Sequence, residues 1–377
     1  MNSRIFLSPP HMGGDEEKLV AEAFASNYVA PAGSMLNRFE QAFSQLTGVR
    51  YCLALSSGTA AMHLAMKSLA LSPGDEVWAS TLTFIASIGP AVHEGARPVF
   101  IDSDASTWTM DPELLGEGLE KASRLGRLPK AVIPTDIYGQ SCDLDRIRCL
   151  CDPLGVPVIS DSAEAVGASY RGRHAGHGAR AAVYSFNGNK IITTSSGGML
   201  ASDDRDMIER ARYLSTQARE NVSHYEHQAV GFNYRLSNIC AAIGLGQLGV
   251  LEQRVDRRRQ VAARYQSNLK DCAGLSFMPE ATYGRSTRWL TVMLVDPKAV
   301  PASPETLRSA LEQQNIEARP VWKPMHMQPV FAAARTIGGA VSEKLFDQGL
   351  CLPSGSSMSD DDVDRVSAIV RATIHAH

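Results

Sequence analysis

The 377-residue chain is 44% hydrophobic, 20% charged and 7% aromatic, the balance of an ordinary globular protein and not of a disordered, collagenous or low-complexity one. Thirty-seven basic residues face forty acidic ones, a net charge of −3, which excludes the basic excess of a nucleic-acid binder. No apolar run approaches the roughly 18–20 residues a membrane helix needs, and the opening segment 1–10 lacks the apolar core of a secretory signal. The expectation is a cytoplasmic protein with no membrane partner.

From residue 49 onward short β-rich runs alternate with helical patterns. Strands are predicted over 49–55, 75–80, 98–102, 130–135, 156–161, 181–186 and 198–201. Helices are predicted over 60–71, 85–93, 143–154 and 204–216. Strands separated by crossover helices imply a mostly parallel sheet covered on both faces. Right-handed crossovers then bring the loops that follow the strands to one edge. Beyond residue 204 the texture changes: 236–269 reads as one long helical stretch, followed by a strand at 288–296, a helix at 304–315, a strand near 349–352 and a helix at 359–375. The fold class is therefore α/β, with a large domain over 1–250 and a connecting helix plus smaller α+β domain over 251–377.

Seven scattered cysteines, with no Cys-x-x-Cys pair, read as reduced core thiols. No convergent set of four ligands suggests a metal, and the closing His375-Ala376-His377 is too short to be a metal tract.

Three features fall at predicted strand ends. Ser56-Ser57-Gly58-Thr59 opens a helix, whose free N–H groups and dipole suit a phosphate, although ordinary capping explains the same residues. Asp161 closes an apolar run; a carboxylate there needs a cation, a helix cap or an ion pair. Lys190 is one of nine lysines and follows a β-rich run, while most of the others fall on polar helix faces or in loops. A lysine withdrawn from water can serve as a nucleophilic amine. Together, a phosphate seat, a buried acid and a sheltered lysine 29 positions later are what pyridoxal phosphate requires. The run Arg254-x-x-Arg257-Arg258-Arg259 reads instead as a solvated helix face or a subunit contact.

These features, with 6–14, Asp161-Ser162-Ala163-Glu164-Ala165-Val166-Gly167-Ala168, 184–190, Gly231-Phe232-Asn233-Tyr234-Arg235 and 319–326, resemble the DegT/DnrJ/EryC/StrS nucleotide-sugar aminotransferases of pyridoxal phosphate fold type I. Within that family, 7–14, 187–194 and 215–221 resemble the UDP-N-acetylbacillosamine-type transaminases. The resemblance implies that Lys190 carries the cofactor and moves protons, and that Asp161 pairs with the ring nitrogen. Gly58, Thr59 and Ser185 are implied to bind phosphate, Phe84 to stack on the ring, and Glu164 to lie near the ring hydroxyl. Asn233 is implied to reach the phosphate of the other subunit of a homodimer, and Arg235 and His326 to contact the sugar nucleotide. The implied reaction moves an amino group from L-glutamate to C4 of a UDP-linked 2-acetamido-2,6-dideoxy-4-keto hexose. The alternatives are a GDP- or dTDP-linked or 3-keto sugar nucleotide as acceptor, or a non-catalytic regulator that binds the cofactor.

Overall fold

The computed structural model describes residues 3–375. Met1, Asn2, Ala376 and His377 lie outside them, and with them the ends of the opening segment and of the His375-Ala376-His377 tract considered above. The large sheet runs, in spatial order, Tyr51–Leu55, Gly198–Ser202, Ala181–Ser185, Ile159–Asp161, then Ala131–Ile133, Glu76–Ser80, Arg97–Ile101 and Arg335–Ile337. Parallel bridges Val132–Val158 and Thr135–Asp161 join the two halves. Gly198–Ser202 is the one strand of the set that pairs antiparallel, between Tyr51–Leu55 and Ala181–Ser185; the remaining pairs are parallel. The predicted mostly parallel sheet is thus present.

Its strands are apolar on both faces because helices cover both. Leu53 and Leu55 pack with Ala61, Leu64 and Met207 on one side. Cys52 and Ala54 point the other way, toward Phe39 and Phe43. Trp78, Val99 and Ile101 meet Leu115, Leu119 and Ile147 from the helices Pro112–Arg124 and Leu144–Cys151. This alternation is the period-two pattern of a pleated strand.

Four helices were not expected: Glu16–Ala25, Ser34–Thr47 and Pro112–Arg124, and also Ala340–Gln348. Signals of the first three are present, namely acidic Glu16 and Glu17 in a first turn, Gly48 at φ 72° closing the second, and Asp111-Pro112 opening the third. The stretch 236–269 forms two helices, Asn238–Gly249 and Leu251–Leu269, because Val250 leaves helical geometry at φ −114° and ψ 5°. Small residues of the first let neighbours come close: a Cβ on Gly244 would lie 2.7 Å from Phe39, and one on Gly246 2.9 Å from Glu16. The expected strand 288–296 starts later, at Thr291–Val295, since Arg288 sits at φ 52°.

The C-terminal residues form an antiparallel sheet ordered Leu275–Phe277, Thr291–Val295, Gly349–Leu352 and Arg319–Pro320. It packs with the helices Leu251–Leu269, Pro304–Gln313 and Asp360–His375 in one apolar cluster containing Val261, Leu307, Leu311 and Val366. Two segments cross residue 250. Ile5 bridges Ile316, and Arg335–Ile337 adds a parallel edge strand to the large sheet. Among the described residues no helix is long and apolar enough to cross a membrane, and no group of three or more His, Cys, Asp or Glu is placed to hold a metal ion.

Asp102 anchors that second crossing. Its buried carboxylate accepts hydrogen bonds from the N–H groups of Gly339 (2.6 Å), Val341 and Ser342 (3.0 Å each) and from Ser342 Oγ (2.5 Å). Burial pushes its pKa up, but the bonds from Ser342, Ser103 and Gly339 outweigh burial and hold it below the usual range. The stabilisation is therefore complete above the unfolded-state value of about 3.9 and is lost as pH falls through the folded value. Asp102→Ala is expected to lower stability by about 2–4 kcal/mol at neutral pH and to flatten the acid limb, as read from urea unfolding midpoints across pH.

Candidate active site

The loops that follow the parallel strands meet at one edge of the sheet and enclose a cavity of about 230 Å³. Gly58, Thr59, Phe84, Asp161, Glu164, Ser185 and Lys190 all line it, so seven of the ten expected site residues come together. Topology accounts for this: each residue follows or closes a strand at its carboxyl end.

The turn after Tyr51–Leu55 begins the helix Gly58–Lys67, whose Ser57 side chain accepts the Ala60 N–H at 3.0 Å. The first N–H groups of that helix have no partner within it. Gly58 backs directly onto the next wall, since a Cβ there would lie 3.2 Å from Ser185 Cβ. A Cβ on Gly198 would lie 2.4 Å from Gly58 N, so the antiparallel strand approaches the same turn closely.

Asp161 is buried at the end of its strand. Its Oδ2 accepts the Ser87 hydroxyl and its Oδ1 the Ala163 N–H at 3.1 Å. Ser87 Oγ is 2.6 Å from Thr83 Oγ1, which accepts from Thr135 Oγ1 at 2.9 Å. With the Ser87 proton committed to the carboxylate, the three hydroxyls align head to tail toward Asp161. Burial pushes the Asp161 pKa up, against the Ser87 and Ala163 hydrogen bonds and the charge of Lys190. Glu164 is also buried, and burial pushes its pKa up to about 7 against the charge of Lys190 and the Tyr138 N–H.

Lys190 Nζ lies 3.7 Å from Glu164 Oε1 and 4.2 Å from the centroid of the Trp289 ring, with the lysine side chain 12% exposed. Glu164 Oε2 accepts the Tyr138 N–H at 2.8 Å. Tyr138 stands in the left-handed region at φ 51°, and its hydroxyl accepts the Trp322 N–H at 2.9 Å. Phe84 is 50% exposed and meets Trp322 edge-on, with centroids 4.9 Å apart. It lines the cavity.

These residues fit pyridoxal phosphate. Burial raises the pKa of both Asp161 and Glu164, and a protonated pyridine nitrogen enclosed beside Asp161 would favour its charged form. The helix start at Gly58, the Ser185 hydroxyl beside it and the aromatic face of Phe84 suit a phosphate and a flat ring.

Three expected residues are elsewhere. Asn233 is exposed, bridging Thr216, and does not line the cavity of its own chain. Arg235, expected at the sugar nucleotide, does not line this cavity; its side chain is 8% exposed and bonds Glu40 Oε1 at 2.7 Å and Ala54 O at 2.8 Å. His326 does not line it either, and its ring nitrogens lie 2.6 Å from Thr81 Oγ1 and 3.0 Å from Glu343 Oε1. The arginine run is corrected in part, since Arg258 is 1% exposed. Sequence reasoning missed Tyr138, Asn189, Trp289 and Trp322; an aromatic in a C-terminal segment carries no mark of the cleft it will wall. A second cavity, about 660 Å³, shares Asn189 and Trp322 with the first and is lined also by Phe6, Pro9, Trp289 and Arg319.

The raised Glu164 pKa carries a stability consequence. Between the ordinary glutamate value and about 7 the folded, cofactor-free protein holds a proton that the unfolded chain releases. That contribution is complete at the acid end of the window and is lost as pH rises through it. In the cofactor-free protein, Glu164→Gln is expected to raise the melting temperature relative to wild type at about pH 8, with the difference vanishing toward about pH 4. Differential scanning fluorimetry across pH reads both.

Residues 10–371 match the DegT/DnrJ/EryC1/StrS aminotransferase family. The chain is 48% identical to the putative pyridoxal phosphate-dependent aminotransferase EpsN of Bacillus subtilis, covering 100% of this chain and 97% of that one. It is 36% identical to the GDP-perosamine synthase of Caulobacter vibrioides, covering 97% of each. Among solved structures, the aminotransferase TlmJ of Streptoalloteichus hindustanus superimposes with a TM-score of 0.90 at 30% identity, over 99% of this chain and 100% of that one. Match and geometry agree: the chain belongs to the DegT/DnrJ/EryC1/StrS aminotransferase family and is a pyridoxal phosphate-dependent transaminase.

Proposed function

We propose that the protein transfers an amino group from L-glutamate to C4 of a UDP-linked 2-acetamido-2,6-dideoxy-4-keto hexose, acting in the cytoplasm as a homodimer. The observation that carries the reading is the placement of Lys190 and Asp161 in one cavity with the Ser57–Gly58 helix start. When bound, the cofactor supplies a carbonyl carbon to hold the amino group and a ring to accept the electrons released with the Cα proton. Lys190 takes that proton from the donor carbon and delivers it at the other end of the transfer, alternating as base and acid. Asp161 holds the ring nitrogen protonated, and the hydroxyl chain from Thr135 through Thr83 and Ser87 orients its carboxylate. Gly58, Thr59 and Ser185 hold the phosphate, and Phe84 covers one face of the ring. Glu164 lies 3.7 Å from the lysine, and the family resemblance implies that it lies near the ring hydroxyl.

The larger adjoining cavity receives the sugar nucleotide, with Arg319 as the cation among its lining residues. The uridine assignment rests on the likeness of 7–14, 187–194 and 215–221 to bacillosamine-type transaminases. A second reading, a GDP-linked acceptor, is favoured by the 36% identity to GDP-perosamine synthase.

Two measurements test this. With glutamate as donor, kcat/KM for the UDP-linked 4-keto sugar is expected to exceed that for GDP- and dTDP-linked and 3-keto counterparts by about tenfold or more; a GDP-linked sugar in first place transfers the assignment to the second reading. Lys190→Ala is expected to abolish amine transfer, and Asp161→Asn to lower kcat by at least about a hundredfold, in proteins whose unfolding midpoints match wild type. Full turnover by Lys190→Ala refutes the mechanism.

A further inference from the structure

We propose that Trp289 is a positioning residue for Lys190: its indole holds both the backbone before the lysine and the lysine's amino end. This rests on the reading that Lys190 carries the amine chemistry. The Trp289 ring is 1% exposed and lies 4.2 Å from Lys190 Nζ. Its Nε1–H donates at 2.8 Å to the carbonyl of Asn189, the residue directly before the lysine. The same carbonyl accepts the Ser8 hydroxyl at 2.6 Å. One aromatic side chain thus fixes the peptide group from which Lys190 departs and the face on which its ammonium rests.

The indole is itself held. Arg258, buried at 1% exposure, donates through Nη1 to Trp289 O at 2.6 Å and to Ser354 O at 3.1 Å, and through Nη2 to Ser8 Oγ at 3.0 Å. Arg258, Ser8, Asn189 and Trp289 therefore close a ring of hydrogen bonds behind the lysine. Among the described residues no carboxylate pairs with Arg258, and its Nε–H has no partner. Burial of that charge pulls its pKa down to about 9. So costly a group is retained where its fan of donors joins segments that are far apart in sequence.

Transamination gives this brace its purpose. Lys190 is released from the cofactor once per half-reaction and must stay within reach of the same carbon. Glu164 Oε1, 3.7 Å away, competes for the freed ammonium, and Asp161 adds a second attraction. The indole face offsets that pull with a cation–π contact in a water-poor cleft. Its flat wall leaves the nitrogen mobile along one direction, where a second carboxylate would lock it.

Full-length Trp289→Leu and Trp289→Phe test this with two readouts. The first is the rate at which absorbance develops when pyridoxal phosphate is added to the cofactor-free protein, which reports how well the lysine is presented without any turnover. The second is the division of the defect between kcat and KM. Trp289→Leu is expected to slow cofactor attachment and lower kcat about tenfold each, with KM for both substrates within about twofold. Trp289→Phe keeps the face, loses the bond to Asn189 and is expected to recover most of the loss, remaining about threefold below wild type. Unchanged attachment and kcat in Trp289→Leu, a loss confined to KM, or a Phe variant as impaired as Leu would each overturn the assignment. If Trp289→Leu does not fold, the Phe variant decides alone, an unaltered attachment rate and kcat refuting it. If Lys190→Ala kept full turnover, the proposed function itself would fall; if only the Trp289 results failed, that function would stand and the brace alone would go.

Discussion

Two buried carboxylates facing one ammonium set the character of this cleft. Asp161 and Glu164 are both desolvated, Asp161 raises the pKa of Glu164, and the charge of Lys190 acts on both. Such a cluster is costly in isolation. It becomes favourable once a further cation is enclosed, which is what a protonated heterocycle provides. Surrounding groups keep the two acids distinct. Asp161 receives a chain of aligned hydroxyls, whereas Glu164 accepts a single backbone N–H, from Tyr138 held at φ 51°. The first environment supports a charged carboxylate and the second leaves a carboxyl near neutrality. Two similar side chains three positions apart thereby acquire different tasks, the division that burial and hydrogen bonding impose on paired acids.

The sheet makes that clustering inexpensive in loop length. Strands ending at Leu55, Ser80, Ile133, Asp161 and Ser185 all deliver their loops to one edge. The exceptional antiparallel strand, Gly198–Ser202, has its own use. Its Gly198 lies against the Ser57–Gly58 turn, and Gly58 in turn lies against Ser185. Side chains on either glycine would push these backbones apart. Without a Cβ at 58 and 198, the start of the helix and the Ser185 hydroxyl converge on one small volume.

Much of this was legible in the sequence. The parallel sheet follows from apolar runs separated by helical patterns, and Lys190 and Asp161 stood out because a charged residue at the end of a β-rich run needs a reason. The helices Glu16–Ala25, Ser34–Thr47 and Pro112–Arg124 carried readable capping signals that were passed over. Other features were not legible. Val250 divides the long helix by its backbone angles alone, and valine does not mark a break. Arg258 sits in a charged run that reads as solvent-facing, yet three acceptors drawn from residues 8, 289 and 354 bury it. Trp289 and Trp322 reach the cleft only because the C-terminal sheet folds back against the large one. Such long-range placement leaves no local pattern.

The partners of Arg235 and His326 bear on how the acceptor sugar is chosen. Arg235 ties the helix Ser34–Thr47 to the strand Tyr51–Leu55 through Glu40 and Ala54 O. His326 ties the turn Met325–Met327 to Thr81 and Glu343. These hydrogen bonds join neighbouring segments within this chain. The larger cavity is walled by Phe6, Pro9, Trp289 and Trp322, with Arg319 two-thirds exposed and already paired with Glu317. Aromatic and proline surfaces discriminate by shape and stacking, while a solvated, paired arginine contributes little attraction for a diphosphate. Within one subunit, then, the walls are suited to select the sugar and base by fit. On the proposed reading, the charge that a diphosphate calls for comes from beyond this cavity.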